Sequence, residues 1–276
     1  MTARDGARPG PGRGGTPATR AFEPGTFTPA PGRGSLGRML AAQVRIETVL
    51  ALRQAEQALL TMIIPLVVLV GLTVVPGIVP LPAPRVNAVL GTVLALGVMS
   101  TAFTSQAISL GFDRRYGVLR RLGATGVPRW LVVCGRLGGM ASVVAVQVVL
   151  FGLVAAALGW RPGPGEIGWT LLLVVLGTAA FGALGVLLGG TLRPEIVLGV
   201  ANLVWFVLLF AGGILVPATA LPGPLPDAVL ALPSGALAEG LRTALGGGTP
   251  SAGALVVLAV WALVVGGVAT RVVRWR

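Results

Sequence analysis

The chain has 276 residues, 54% of them hydrophobic, a mean hydropathy of +0.88 and a formal net charge of +12. A soluble domain of that length cannot hide so much apolar surface in a core, whereas a polytopic membrane protein has no need to. With no histidine, no lysine and a single cysteine, Cys134, the chain can build neither a His/Cys metal site, nor an internal disulfide, nor the lysine-bearing loop that cradles nucleotide phosphates.

Residues 1–35 contain 8 Gly, 6 Pro and 5 Arg with almost nothing apolar to bury, the composition of a disordered tail. The tail has no apolar core or cleavage site of a secretory signal, so it is expected to stay attached and cytoplasmic. Over 36–56 the pattern turns helical. Leu36, Met39, Leu40, Ile46 and Leu50 recur at steps of three and four, with Arg38 and Arg45 opposite. Glu47 intrudes on the apolar side. This pattern predicts a helix lying in the cytoplasmic interface.

Residues 36–276 form one transmembrane domain. Six apolar stretches follow the interfacial helix, at about 58–79, 86–110, 130–158, 167–192, 196–216 and 252–272. Each is near or above the roughly 20 residues that cross the hydrocarbon layer. Pro65 falls in the first, where a membrane helix tolerates a kink. PGIVPLPAP, at 76–84, reads as a tight turn. The predicted fold is all-α and polytopic. With the N-terminus inside, 18 arginines face the cytoplasm and 3 face outward, so both termini are expected in the cytoplasm. That distribution also accounts for the net charge through topology and anionic headgroups, and no nucleic-acid partner is expected.

Near the end of the second stretch, Ser100, Thr101, Thr104, Ser105 and Gln106 are candidates for lining a substrate path, as is Asn202 in the fifth. Helix-to-helix hydrogen bonding accounts for them equally well. Gly135/Gly139 and Gly185/Gly189 have the spacing that seats helix pairs closely, yet among 42 glycines chance spacing is the favoured account.

The second and third stretches are joined by FDRRYGVLRRLGATGVPRW, at 112–130. An Arg at the membrane centre costs roughly 2.5–3.5 kcal/mol on insertion scales, so this segment must stand in water on the cytoplasmic face. A helix is predicted over 112–125, about 20 Å long. Val118, Leu119 and Leu122 make a small apolar stripe, Arg114, Arg115, Arg120 and Arg121 cover the rest, and Gly123, Gly126 and Pro128 end it. A loop whose arginines only hold orientation is the plainer account, but it needs a few charges and no amphipathic helix.

This segment resembles the cytoplasmic coupling helix of the membrane subunits of type-2 ABC exporters, whose pattern is like E-R-x-x-G-x-L-x-R-L-x-A-T-P-x-x-R. Asp113, Arg114, Gly117, Leu119, Arg121, Leu122, Ala124, Thr125 and Arg129 stand at matching places. Arg115 and Arg120 depart from it where the family often has Glu, and Gly126 replaces the usual Pro. A second match lies in GGILVPATALPGPLPDAVLALPSGALAEGLR, where Gly213, Pro217, Leu221, Pro222, Gly223, Leu232, Pro233, Glu239, Leu241 and Arg242 fall in step with the family's external segment. LALRQAEQALLTMIIPLVVLV is similar to the family's approach to its first span, so the resemblance covers about 36–276.

The resemblance implies a permease subunit that itself carries no cofactor, metal or catalytic residue. It implies ATPase coupling through Asp113, Arg114, Arg115, Gly117, Leu119, Arg120, Arg121, Leu122, Ala124 and Thr125, and an external re-entrant segment carrying Gly213, Pro217, Pro222, Pro233, Glu239 and Arg242. The implied partners are an ABC ATPase subunit, a second permease copy (identical or different) and membrane lipids. The implied place is the plasma membrane, and the implied activity is ATP-driven export. The scarcity of charge within the spans favours an amphipathic or lipid-like cargo. The alternative is an ion-coupled secondary transporter, which usually keeps ionisable groups deep in the membrane. An intramembrane enzyme is disfavoured, since no His or Lys is available to activate a nucleophile.

Overall fold

A computed structural model describes residues 34–53, 55–75, 84–118, 121, 124, 127–215, 217–218 and 221–272. The expected tail, except Gly34 and Ser35, and the 76–83 part of the expected turn lie outside the described residues.

The domain from residue 36 onward is built of helices. They are α1 (Leu36–Arg53), α2 (Ala55–Val74), α3 (Arg85–Arg115), α4 (Arg129–Ala157), α5 (Pro164–Thr191), α6 (Pro194–Ala211), α7 (Leu225–Leu230), α8 (Pro233–Leu245) and α9 (Ala252–Val272). Prolines open α5, α6 and α8, where a missing N–H costs nothing because the first turn has no intrahelical acceptor for it. α3 includes a π-helical stretch, Met99–Ser105, in its middle. Such a bulge widens the helix by one residue and turns the side chains that follow it.

Among the described residues, five helices are long and apolar enough to cross a membrane: α3, α4, α5, α6 and α9. The chain is thus an all-α polytopic membrane protein. The first expected span, 58–79, corresponds to α2, of which Thr61–Val74 is a shorter apolar stretch among the described residues. The second span, expected at 86–110, continues to Arg115, since nothing in Phe112, Asp113, Arg114 and Arg115 breaks a helix even after the apolar pattern stops.

α3 is the centre of the domain. Its apolar window is 78% buried, against 22–44% for the other spans. α2, α4, α5, α6 and α8 pack around it, while α9 lies against α5 and α1 against α4. Val89, Leu90, Val93, Met99 and Phe103 of α3 meet Phe151 of α4, Phe181 of α5 and Leu237 of α8 in one core.

Small residues set how closely these helices approach. A Cβ added at Gly185 would lie 2.7 Å from the Phe103 carbonyl oxygen, and one at Gly189 would strike the Ala107 carbonyl. The backbone of α3 therefore rests directly on the glycine face of α5. On α4, a Cβ at Gly135, Gly138 or Gly139 would fall into Gln43, Val44 and Glu47 of α1. Both glycine pairs assigned to chance are thus seats for neighbouring helices. Their spacing is no rarer than that of other glycines, and only the partner across the seat distinguishes them.

Replacing Gly189 with Val should push α3 off α5 and cost at least the 1–3 kcal/mol typical of overpacking. Gly199, on the exposed face of α6, has nothing within 4 Å of an added Cβ. Thermal melts in detergent should show a clear drop for Gly189→Val and little change for Gly199→Val.

Candidate functional site

The basic segment begins inside α3. The helix runs to Arg115 and closes with the Tyr116 amide on the Phe112 carbonyl at 2.9 Å. Gly117 then takes φ +67°, a left-handed conformation that costs glycine little and a side-chain residue much more. Helical conformation resumes at Val118, with the Arg121 amide bonded to the Gly117 carbonyl at 3.1 Å. The single helix expected over 112–125 is therefore two pieces joined at Tyr116 and Gly117, because the helical pattern continues across a residue whose backbone does not. Leu119, Arg120, Leu122 and Thr125 lie outside the described residues, while Arg121 and Ala124 are described, helical and exposed.

Asp113 and Arg114, adjacent in the chain, reach in different directions. Asp113 accepts a hydrogen bond and ion pair from Arg136 of α4, whose Nε stands 4.0 Å from Glu47 Oε1 of α1. Gln43 Nε2 donates to the same Glu47 oxygen at 3.1 Å. The Arg136 side chain is 12% exposed, so one largely buried cation holds two carboxylates from two other helices. Its Nε and one terminal nitrogen find no hydrogen-bond acceptor. Arg114 donates instead to the carbonyls of Gly189, at 3.0 Å, and Leu192, at 2.9 Å. These carbonyls end α5, where the helix leaves acceptors unpaired and its dipole is negative.

The side chains left outward are different ones. Arg115, Tyr116, Arg121 and Trp130 are exposed, and Phe112 stacks on Tyr116 with ring centroids 6.2 Å apart. Arg121 is tied back to the Tyr116 carbonyl at 3.0 Å. The free face of the rim is therefore cationic and aromatic. The aromatic half went unnoticed in the sequence, although Phe112, Tyr116 and Trp130 all stand in the segment.

At the other end of α3, Arg242 of α8 is the joining residue. It donates to the Gly213 carbonyl at 3.0 Å, to Glu239 Oε2 at 3.4 Å, to Thr92 Oγ1 at 3.3 Å, and to the Ile214 carbonyl. Burial pulls its pKa below the ordinary arginine value, and Glu239 opposes that shift. Gly213, at φ +72°, turns the chain after α6 so that its carbonyl meets this guanidinium. Pro222 is exposed, Pro217 half-buried, and Pro233 buried where it opens α8. Glu239 and Arg242 are thus a real pair, anchored on α3.

The polar run in α3 falls on and just after the π-helical stretch. Ser100 accepts from Trp205 Nε1 of α6 at 3.1 Å. Thr101 donates to Gln147 Oε1 of α4 at 3.1 Å, and Gln147 Nε2 donates to the Thr61 carbonyl of α2 at 3.3 Å. Thr104 Oγ1 and Gln106 Nε2 are buried with no hydrogen-bond partner among the described residues, and Ser105 is half-buried. Asn202 is exposed on α6. Ser100 and Thr101 therefore join helices, and Asn202 faces outward instead of joining them. Gln147 was not singled out because one glutamine in an apolar span has no local signal.

Five long apolar helices, joined by part-buried ion pairs and an amide bridge, define a multi-pass membrane protein whose basic segment is tied back by Asp113 and Arg114. A family model described as ABC-2 type transporter matches residues 38–245. No curated protein and no solved structure matches the chain. The chain belongs to the ABC-2 type transporter family, and it is a membrane subunit of an ABC transporter.

Removing Arg136 would leave Asp113 and Glu47 facing each other with no cation between them. Arg136→Ala should lower stability by about 3 kcal/mol, the cost of breaking a buried pair. Replacing all three groups together (Arg136→Met, Asp113→Asn, Glu47→Gln) should recover most of that loss in a thermal melt, because no buried charge is then left alone.

Proposed function

We propose that the chain is the permease subunit of an ATP-driven exporter, coupled to a separate ATPase through the segment at 112–125. The observation that carries this is the opposed grip of Asp113 and Arg114. One holds α4 and, through Arg136, α1; the other holds the end of α5. A displacement of the adjoining basic segment would therefore be felt by four helices at once, which is what a coupling element requires. In this reading Arg115, Arg121 and the undescribed Leu119, Arg120, Leu122 and Thr125 meet the ATPase, Gly117 is the joint and Ala124 lies on the same exposed surface. Asp113 and Arg114 transmit the motion and do not touch the partner.

The asymmetry of arginines supports cytoplasmic termini and an external, re-entrant segment of α7 and α8. The plasma membrane is the location this reading implies. A second permease copy completes the transporter, and membrane lipids surround it. In this reading residues 1–35 are a tail outside the permease domain, on the cytoplasmic side. The cargo is amphipathic or lipid-like; of the polar groups expected on its path, Ser100 and Thr101 are engaged between helices and Asn202 faces outward, so Thr104 and Gln106 are the better candidates to meet it, with Ser105 beside them. No cofactor is required on this chain.

The test is co-purification and transport with the Leu119→Asp, Leu122→Asp double variant. The native chain should carry a stoichiometric ATPase and move cargo on addition of ATP. The variant should insert and melt normally but lose the ATPase and the transport. Transport driven by a pH gradient, with no ATPase present, would replace this reading with ion-coupled secondary transport.

A further inference from the structure

The end of the domain far from Asp113 contains a cavity of about 550 Å³ between α7, α8 and the start of α9. That volume lies within the range of small-molecule sites. Leu230, Ala254 and Val257 supply apolar wall, while Asp227, Glu239 and Thr243 supply polar groups. We propose that this cavity binds a lipophilic organic monocation.

The charge around it is one-sided. Among the described residues, no arginine lines the cavity. Asp227 is exposed, and it makes no ion pair with a described residue. Glu239 has one oxygen turned to Arg242 at 3.4 Å. Arg242 is held away from the cavity by the Gly213 and Ile214 carbonyls and by Thr92, so it stands behind Glu239 and offsets only that carboxylate. One negative charge is left uncompensated beside a mostly apolar wall.

This arrangement selects among ligands. An anionic headgroup would meet carboxylates and no cation. A metal ion would have to shed water for too few oxygens, and among the described residues no group of three or more acidic, His or Cys side chains is placed to hold one. An organic cation with an apolar body can set its charge near Asp227 and cover Leu230, Ala254 and Val257 without a large dehydration cost. The site depends on neither ATP nor a partner, and so it goes beyond the coupling reading.

The experiment uses the full chain alone in lipid nanodiscs and radiolabelled tetraphenylphosphonium as probe. Saturable binding is expected, with tetraphenylborate (the same shape with the opposite charge) failing to compete. Asp227→Asn should weaken binding roughly fivefold, the order of one partly exposed charge pair, and Asp227→Arg should weaken it further. Glu195→Gln, at the other end of the domain, should bind as the native chain does. Binding that is unaltered in both Asp227 variants would overturn the proposal, as would non-saturable partitioning or equal competition by tetraphenylborate. Because no ATPase is present, failure of the coupling reading would leave this result untouched.

Discussion

The constraint on which the structure depends is the burial of α3 by backbone contact. Phe103 and Ala107 present their carbonyls to Gly185 and Gly189 with no side chain between. In lipid there is little hydrophobic force between helices, so association relies on close packing and on hydrogen bonds. A helix that reaches the centre of such a bundle does so by finding glycine faces. On its other sides α3 meets Gln147 of α4, Trp205 of α6 and Arg242 of α8 through Thr101, Ser100 and Thr92. Glycine contact and these polar joins together fix it against its neighbours.

The charged contacts at the end of α3 follow from that fixed position. Because α3 rests on α5, its last turn carries Arg114 to the unpaired carbonyls that end α5. The same turn carries Asp113 to Arg136 on α4, beside α1. α1 is brought within reach of Arg136 by a second glycine seat, Gly135 to Gly139. The charged network is therefore a consequence of close helix packing, and the exposed surface beyond Gly117 is held by it. Such a network adds little net stability over an apolar equivalent, but it makes the relative positions of its helices specific.

Hydropathy located the long spans well, since each helix of the bundle must hide its own backbone polar groups and the apolar run records that need. Local backbone behaviour was less legible. The amphipathic pattern runs straight through Gly117, yet the helix breaks there, because periodicity describes side chains and says nothing of a left-handed φ. Glu47 stood out as a charge on the wrong face of α1, and its partner proved to be Arg136, 89 positions further along in the chain. Nothing local to either residue names the other.

By itself the sequence determined the class of protein, the long apolar helices and the want of any lysine for a nucleotide site. These are sums over neighbouring residues, and a sum needs no knowledge of what lies across the bundle. Only the tertiary structure decided which glycines are seats, which arginines are spent inside the protein and which remain outward, and that Arg242 stands behind Glu239 instead of beside the cavity. Those outcomes depend on which helices become neighbours, and that is settled by packing between segments far apart in the chain.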